Sequence, residues 1–308
     1  MKRMRTRNGA ALAFEPSAPA SDPAAAPVAS VVIPAHNEEG VIGDLLRGLV
    51  VDDPFRFEVI VVCNGCTDDT ARVAGEFPNV QVVDIPEPSK RVALARGDDA
   101  ATVFPRLYVD ADVRISAQSV EMLVAALHEP ATHAAGPVRV IRRDGVSRWV
   151  SWYYDVWERL PQVREGLFGR GVIAVSRDGN DRIRALPALM GDDLASSEAF
   201  AEHERRVVDG SQVIIWPPKT IGDLVRRRVR AATGNAEADR AGVRRPASIT
   251  SLGTLVGVSR STPRLIIKLP LFVAIAVVSR VLAYKAVRAG NTTTWLRDDS
   301  SREGRSTA

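Results

Sequence analysis

The residues with the clearest chemical potential are two aspartates, Asp110 and Asp112, in the stretch RLYVDADVRIS. The preceding residues, Leu107 to Val109, are typical of the end of a buried strand, and in an extended chain residues i and i+2 point to the same side. Two converging carboxylates repel each other and attract a hard divalent cation such as Mg2+ or Mn2+, which takes oxygen ligands and keeps positions open for substrate phosphates. A solvated turn after a strand is the alternative explanation.

Two later clusters could also act on a charged substrate. The sequence MGDDLASSEAF at residues 190–200 places Asp192 and Asp193 before a helix-like run, where N-capping is the simpler interpretation. The sequence IGDLVRRRVRAATGN predicts a helix that carries a cluster of arginines, namely Arg226, Arg227, Arg228 and Arg230. Arginine binds phosphate oxygens in bidentate fashion, so this cluster suits a diphosphate, although a solvated charged face is the alternative.

The elements that must position these residues follow from the apolar pattern. From Val28 onward, apolar strand-like runs (VASVVIP, FEVIVV, VQVVDI and RLYV) alternate with segments of helical spacing. That alternation predicts a doubly wound α/β sheet, which binds ligands outside the carboxyl ends of its strands. We therefore expect the three polar loops at residues 34–40, 63–70 and 110–112 to line one crevice.

Two other motifs carry less weight. Cys63 and Cys66 have C-x-x-C spacing, but the sequence offers no second Cys/His pair for a structural zinc site and too few cysteines for a disulfide framework. Reduced thiols and an intracellular location fit best. The pattern Gly169-x-Gly171-x-x-Ala174 is superficially similar to a dinucleotide fingerprint, but we reject it because an apolar strand follows the glycines instead of preceding them.

The charge of the chain is unevenly distributed. The 308 residues are 45% hydrophobic and 25% charged, which is ordinary for a globular protein of one large or two smaller domains. The net charge is +4, yet residues 219–288 carry 14 Lys or Arg against 3 Asp or Glu. Nucleic acid, anionic lipid or a diphosphate could be the partner of this basic part.

Two apolar segments point to a membrane or an acceptor. Residues 264–288 surround the apolar stretch Leu269 to Val278 with Lys and Arg. That stretch is too short for a clean span, which needs ~20 residues, so we expect an interfacial helix on an anionic membrane surface and no nucleic-acid partner. The sequence RWVSWYYDVWERLP predicts an amphipathic aromatic helix, with core packing and an acceptor or membrane-interface role both open.

The motifs VVIPAHNEE, EVIVVCNGCTDDT, SKR, YVDAD and GDDL, in this order over about residues 29–235, resemble family 2 glycosyltransferases of the GT-A fold. The resemblance implies a Rossmann-like, doubly wound and mostly parallel α/β sheet, here with a basic, partly apolar C-terminal helical extension. It also implies inverting transfer of a sugar from a nucleotide-sugar to a hydroxyl acceptor with Mn2+ or Mg2+. The alternatives are a nucleotidyltransferase, which would normally have a Gly-rich loop where PAHNEE stands, and a non-catalytic membrane-associated scaffold.

The resemblance assigns roles to individual residues. Asp193 matches the catalytic base, Asp112 the direct metal ligand and Asp110 the ribose-side acid beside the metal. Asn64 stands where the family usually has the Asp that contacts the nucleobase of the donor. Ala231 stands where a Trp usually follows the arginines, and this departure argues against a processive polysaccharide synthase. The donor-binding residues that the resemblance implies are Pro34, Ala35, Glu38, Asn64, Lys90, Arg91, Asp110, Arg227 and Arg230.

The implied organisation has four parts: a disordered N-terminal tail (1–27), a GT-A domain (28–235) with a nucleotide-binding half (28–115) and an acceptor half (116–235), a membrane-associating helical segment (236–290), and an exposed tail (291–308). We expect a cytoplasmic enzyme that associates peripherally with the inner face of the cell membrane. Its acceptor would be a saccharide or lipid-linked molecule of cell-envelope polysaccharide or glycolipid synthesis.

Overall fold

A computed structural model of the protein describes residues 26–187, 192–245 and 248–288. The predicted tails 1–27 and 291–308 therefore lie outside the described residues, apart from residues 26 and 27. The strands are β1 Ser30–Ala35, β2 Glu58–Asn64, β3 Val80–Ile85, β4 Arg106–Val109, β5 Arg114–Ile115, β6 Ala134–Ile141, β7 Val172–Val175 and β8 Arg205–Ile215. The helices are α1 Ile42–Val50, α2 Thr70–Gly75, α3 Lys90–Ala100, α4 Ala117–Ala126, α5 Arg148–Trp157, α6 Pro161–Glu165, α7 Arg177–Arg184, α8 Asp192–Glu198, α9 Ile221–Arg240, α10 Leu252–Ser261 and α11 Leu269–Arg288.

These strands form one sheet in the order β3-β2-β1-β4-β7-β6-β8-β5. The first four strands of that order are parallel to one another, whereas β7 runs antiparallel to both β4 and β6. At the far edge, β8 is parallel to β6 and antiparallel to the short β5. The predicted mixed α/β fold with a mostly parallel sheet is confirmed.

The continuous apolar runs become strands because helices cover the parallel sheet on both faces. Every residue of β1 is buried, and so is every residue of β2 after Glu58. Helix α3 approaches the sheet so closely that a Cβ on Gly97 would lie 2.2 Å from Cγ1 of Val32. The Ser89 side chain accepts a hydrogen bond from the backbone N–H of Val92 at 3.3 Å, which fixes where α3 begins. Lys90, the first residue of α3, is thereby held above the strand ends.

A second core joins the predicted aromatic helix to the C-terminal helices. Buried side chains of α5, α9, α10 and α11 pack together, and the rings of Tyr153 and Phe272 stack with their centroids 4.9 Å apart. Helix α11 lies against α9 and α5, and Lys268 just before it forms an ion pair with Asp155 of α5. Helix α9 continues through the predicted boundary at residue 235, so the division of the chain there stays a prediction.

The apolar C-terminal segment is longer than the sequence predicted. Pro263–Ala286 contains an 18-residue stretch with a mean hydropathy of 2.3 and, among the described residues, is the one segment long and apolar enough to cross a membrane. The difference arises because the helical conformation extends past Arg280 and is preceded by a helical turn at Pro263–Lys268. One face of this segment is buried on the protein, through Phe272, Ile275 and Ala283.

Candidate active site

The carboxyl ends of β1, β2 and β4 border a cavity of about 880 Å³, as the crevice prediction requires. Pro34 lines it from β1, Asn64 from β2, and Asp110 and Asp112 from the loop after β4. Glu38, also in the lining, follows β1 and is only 7% exposed. The three loops meet because the neighbouring parallel strands all end at the same edge of the sheet.

Hydrogen bonds hold the first two loops together. The Asn64 side-chain amide donates to the carbonyl of Ala35 at 2.8 Å, and Nδ1 of His36 lies 2.6 Å from the carbonyl oxygen of Asn64. The backbone N–H of Glu38 donates to Oγ1 of Thr70 at 2.7 Å. Asn64, which is predicted to contact the nucleobase, therefore also connects the first two loops. Its position in the sequence did not indicate this second role.

The two acidic clusters of the sequence meet at one ammonium group. Nζ of Lys90 lies 2.9 Å from Oδ1 of Asp110 and 3.5 Å from Oδ1 of Asp193. Helix α8 places Asp193 in its first turn, where it faces the start of α3. The side chain of Asp192, the other acid of that cluster, lies outside the described part of the chain. Asp110 and Asp193, remote in sequence, therefore border the same small volume.

Arginines of α9 complete the charge around these acids. Burial by itself would raise the pKa of Asp110, but the ammonium of Lys90 and the guanidinium groups of Arg227 and Arg230 hold that pKa below its ordinary value. Burial and the neighbouring Arg227 lower the pKa of Arg230. The carboxylates of Asp112, Asp193 and Asp110 act in the opposite direction but do not outweigh them. This end of the cavity therefore suits a ligand with several negative charges.

The acids can hold a divalent metal only with help from a ligand. Among the residues that the structure describes, no three His, Cys, Asp or Glu side chains group closely enough to bind a metal. Asp110 and Asp112 supply the hard oxygen donors that Mg2+ and Mn2+ prefer, and Mg2+ commonly binds through one or two carboxylates plus substrate phosphates and water. The pair therefore fits a metal that arrives with a diphosphate.

Gly171 keeps the space beside Asp110 open. Its φ is +65°, and a Cβ there would lie 3.2 Å from Oδ2 of Asp110 and 2.6 Å from Cγ1 of Val113. Its carbonyl accepts a hydrogen bond from the backbone N–H of Asp110 at 2.8 Å. The glycine that the sequence placed in a rejected dinucleotide pattern therefore orients a predicted site residue.

Most of the predicted site residues line the main cavity. Ala35 does not, because its side chain is buried in the strand, and Arg91 lies instead at a neighbouring cavity of about 260 Å³. That smaller cavity is also lined by Lys90, Asp110 and Asp193. We name the polar end of the main cavity, with Lys90, Asp110, Asp112, Asp193, Arg227 and Arg230, the carboxylate half.

The remainder of the main cavity was not predicted. Its lining, which we name the apolar half, consists mainly of aromatic and aliphatic side chains from α5, α10 and α11, with two arginines at its edge: Tyr153, Tyr154, Trp157, Leu252, Leu255, Phe272, Val273, Ala276, Val277, Arg228 and Arg280. The helical spacing of the aromatic residues signalled a buried face but not what it would border. Arg228 was part of the recognised arginine run without a role of its own, and His36, which also lines the cavity, was passed over in the motif PAHNEE.

Comparison with known proteins gives the family of this domain. The sequence model of "Glycosyl transferase family 2" matches residues 30–179. An uncharacterized glycosyltransferase of Mycobacterium tuberculosis is 34% identical over 139 residues, which are 43% of this chain and 62% of that protein. A 4,4'-diaponeurosporenoate glycosyltransferase of Staphylococcus aureus is 35% identical over 102 residues, 31% of this chain and 27% of that protein. The chain thus spans less than two thirds of the length of these curated relatives.

Solved structures share the fold at low sequence identity. A mannosyltransferase from Pyrobaculum calidifontis, in complex with GDP-Man and Mn2+, has a TM-score of 0.57 and 21% identity, covering 92% of this chain and 87% of that one. Glucosyl-3-phosphoglycerate synthase from Mycobacterium tuberculosis, in complex with phosphoglyceric acid, has a TM-score of 0.52 and 20% identity, covering 71% of this chain and 82% of that one. Residues 30–179 therefore belong to glycosyl transferase family 2, on a GT-A fold.

Proposed function

We propose that the protein is an inverting glycosyltransferase that moves a sugar from a nucleotide-sugar to a hydroxyl acceptor and requires a divalent metal. The observation that carries this proposal is the convergence of Asp110, Asp112 and Asp193 around Lys90 and Arg230 at the carboxyl edge of the sheet. Support comes from structures of similar fold that contain GDP-Man with Mn2+, or UDP-Glc and phosphoglyceric acid with Mn2+.

The carboxylate half would bind the donor. Pro34, Ala35, Glu38 and Asn64 would surround the nucleoside, with Ala35 acting through its backbone. The other donor-binding residues would be Lys90, Arg91, Asp110, Arg227 and Arg230. The arginines of α9 would neutralise the diphosphate, and Asp110 and Asp112 would hold the metal. When bound, Mg2+ or Mn2+ would supply further neutralisation of the leaving diphosphate.

Asp193 would be the general base of the transfer. An acceptor hydroxyl is a poor nucleophile, so a carboxylate close to it must take its proton. The acceptor oxygen would then form a bond to the anomeric carbon on the face opposite the diphosphate, whose bond to that carbon breaks. This single displacement inverts the anomeric centre. Lys90 would orient Asp110 and Asp193, since its ammonium group lies between them.

We also propose that the segment 264–288 attaches the protein to an anionic membrane, at the inner face of the cell membrane. Exposed apolar side chains at Ile266, Ile267 and Val281 stand among Arg280, Lys285 and Arg288. The opposite face of α11 packs against the charged helix α9, which a bilayer core would not tolerate. A surface position therefore suits the segment better than a span.

The same proposal gives the domain organisation and the process. A GT-A domain at 28–235, with a nucleotide-binding half at 28–115 and an acceptor half at 116–235, would be joined to a membrane-associating segment at 236–290. A cytoplasmic enzyme attached in this way would reach saccharide or lipid-linked acceptors of cell-envelope polysaccharide or glycolipid synthesis.

Donor binding tests the enzymatic proposal. Purified protein is screened against a panel of nucleotide-sugars in Mn2+ or Mg2+, with release of free nucleoside diphosphate as the readout. Calorimetry then compares nucleoside diphosphate binding in wild type and Asp112→Ala, with Asp181→Asn, an exposed acid of α7, as the control. We expect metal-dependent binding in wild type and the control, and its loss in Asp112→Ala. Equal affinity of Asp112→Ala and wild type in Mn2+ would contradict the metal assignment.

Vesicle binding tests the membrane proposal. We expect the full chain to sediment with anionic vesicles at low salt, less with zwitterionic vesicles, and less again at high salt, because salt screens exposed charges. Replacement of the exposed Ile266 and Ile267 by Ser should weaken sedimentation, and the same change at the buried face is avoided because it would unfold the helix. Failure of the wild-type protein to sediment with anionic vesicles at low salt would overturn the proposal.

A further inference from the structure

The apolar half of the cavity does not suit a nucleotide-sugar. Tyr153 is 2% exposed and Phe272 5% exposed, and both line the cavity together with Trp157 and Ala276. A nucleotide-sugar carries polar groups along its whole length, so hydrocarbon and aromatic walls would leave many of them without hydrogen-bond partners. This half therefore fits a different occupant, one with a substantial apolar part.

The apolar wall continues to the surface of the protein. Leu252 and Val277 both line the cavity and are 81% and 50% exposed. Val277 belongs to α11, within the segment proposed to meet the membrane, and Leu252 belongs to α10, the helix that precedes this segment. An apolar chain that entered from this surface would therefore meet apolar side chains at the rim of the cavity as well as inside it.

Two positive charges lie in the wall of the apolar half. Arg228 and Arg280 both line the cavity, and their charges oppose the rise in the pKa of Tyr153 that burial causes. Among the side chains that the structure describes, neither has an acidic partner, whereas Arg226 on the same helix pairs with Asp223. Residues i and i+2 of a helix do not face each other, so the side chains of Arg228 and Arg230 leave α9 in different directions, although both line the cavity.

We propose that the acceptor is a lipid with a phosphate in its head group. Its hydrocarbon chain would lie against Tyr153, Phe272 and Ala276, its phosphate would contact Arg228 and Arg280, and a head-group hydroxyl would reach Asp193. The proposal rests on the transfer function proposed above and adds the class of acceptor to it. The head-group oxygen bonds to the anomeric carbon, the nucleoside diphosphate leaves, and the hydroxyl proton goes to Asp193, so no oxidant or reductant is needed.

Charge and surface together favour this acceptor. A soluble saccharide would leave the apolar wall without a partner, and a small free phosphate compound would use the arginines but not the wall. A neutral lipid would use the wall but not the arginines, which gain strong charge-assisted hydrogen bonds only from an anion. Only a molecule with both parts matches both features.

A binding experiment with three matched probes separates these cases. The full chain is titrated, below the micelle concentration, with a single-chain acyl glycerol phosphate, with the monoacylglycerol of the same chain, and with glycerol 3-phosphate. Tryptophan fluorescence reports binding, because Trp157 lines the cavity. We expect the acyl glycerol phosphate to bind at least about tenfold more tightly than either partial probe. Equal affinity for the acyl glycerol phosphate and either partial probe would overturn the proposal.

Matched variants then locate the site. Arg228→Gln and Arg280→Gln should each weaken binding of the acyl glycerol phosphate about tenfold and leave monoacylglycerol binding unchanged. The control is Arg260→Gln, which removes one exposed charge of α10 outside the cavity. Unchanged binding in both Arg228→Gln and Arg280→Gln would contradict the assigned phosphate site.

A second pair of variants tests the chain. Ala276→Phe should exclude the hydrocarbon chain from the cavity, whereas Ala274→Phe adds the same ring at an exposed position of α11 that does not line the cavity. Nucleoside diphosphate binding with Mn2+, measured on every sample, shows that each variant is folded. If the wild-type protein does not bind nucleoside diphosphate, the proposed transfer function is wrong. If nucleoside diphosphate binding is intact but Ala276→Phe and Ala274→Phe bind the lipid equally well, only the proposed acceptor is wrong.

Discussion

The two halves of the cavity differ in what holds their side chains and in how their charges are balanced. The carboxylate half is built on strand ends and helix starts, and each of its acids has a cation nearby. The apolar half is built from helices that pack on one another, and its arginines Arg228 and Arg280 have no acidic partner among the described side chains. In the first half each acid therefore has a cation of the protein nearby, whereas the second half carries two arginines to which the described side chains offer no acid.

The sharpest test of the comparison is Asp193→Asn, which should affect chemistry without affecting either binding half. We expect turnover to fall roughly 100- to 10,000-fold, since positioned general bases contribute about that much. Donor affinity in Mn2+ should stay near that of wild type. The measurements are a turnover assay and donor calorimetry, with Asp181→Asn as the control. Near-normal turnover, or donor binding lost as in Asp112→Ala, would show that the base is another residue.

The dependence of the apolar half on helix packing is tested by Phe272→Ala. This change removes the ring that stacks on Tyr153 and leaves a buried cavity, which typically costs about 3–5 kcal/mol. We expect amides of α11 to exchange hydrogen much faster while donor binding persists. Val278→Ala, on the same helix but 46% exposed, should change stability by less than about 0.5 kcal/mol. Loss of donor binding in Phe272→Ala would show that the two halves are not separable.

The rigidity of the carboxylate half is tested by Gly171→Ala. The added Cβ would crowd Asp110 and Val113 at a position with φ of +65°, so we expect a loss of about 1–3 kcal/mol of stability and weaker donor binding. Gly145→Ala is the matched control, because Gly145 has φ of +71° but nothing within 4 Å of its Cβ position. Both variants have the same kind of backbone strain, but only Gly171→Ala also crowds Asp110. A fall in donor affinity in Gly171→Ala but not in Gly145→Ala would therefore be due to that crowding.

The smallest expected effect concerns the acid sensitivity of the apolar half. Burial raises the pKa of Asp155, but Lys268 and Arg143 outweigh it and lower the pKa below its ordinary 3.8. The stabilisation is therefore complete above pH 3.8 and is lost as the pH falls through the lower folded value. Asp155→Asn should cost about 1 kcal/mol at pH 6, and this cost should shrink as the pH falls below 3.8, as measured by denaturant unfolding. The control is Asp144→Asn, which removes an acid from an exposed pair with Arg142.

The carboxylate half was largely predictable because strand periodicity fixes geometry. Apolar runs covered on both faces predict parallel strands, and parallel strands end at one edge, so Asn64 and Asp110 had to lie at the same edge of the sheet. The contact of Asp193 with Lys90 was less accessible, since it depends on how α8 and α3 approach each other. The resemblance to a family assigned each of the two residues to the site, but it did not predict that they touch.

The apolar half was not predictable because helical spacing identifies a buried face without identifying its partner. The spacing of Tyr153 and Trp157 is the same whether the helix meets a core, a ligand or a membrane. Here α11 packs on part of that face, through Phe272, and leaves the rest as cavity wall. Arg228 and Arg280 line one cavity only because of that packing, so the linear sequence gives no signal that they share it.

Helix α9 connects the two halves as a single rod of 20 residues, which is about 30 Å long. It carries Arg227 and Arg230 to the donor site and supports α11 along its side. On the proposed membrane placement, α9 and the helix α8 that contacts it would hold Asp193 at a constant height above the lipid head groups. Only a hydroxyl at that distance from the membrane would then reach Asp193. Once one sugar is added, the new terminal hydroxyl would lie beyond Asp193, so each lipid would receive a single sugar and then be released.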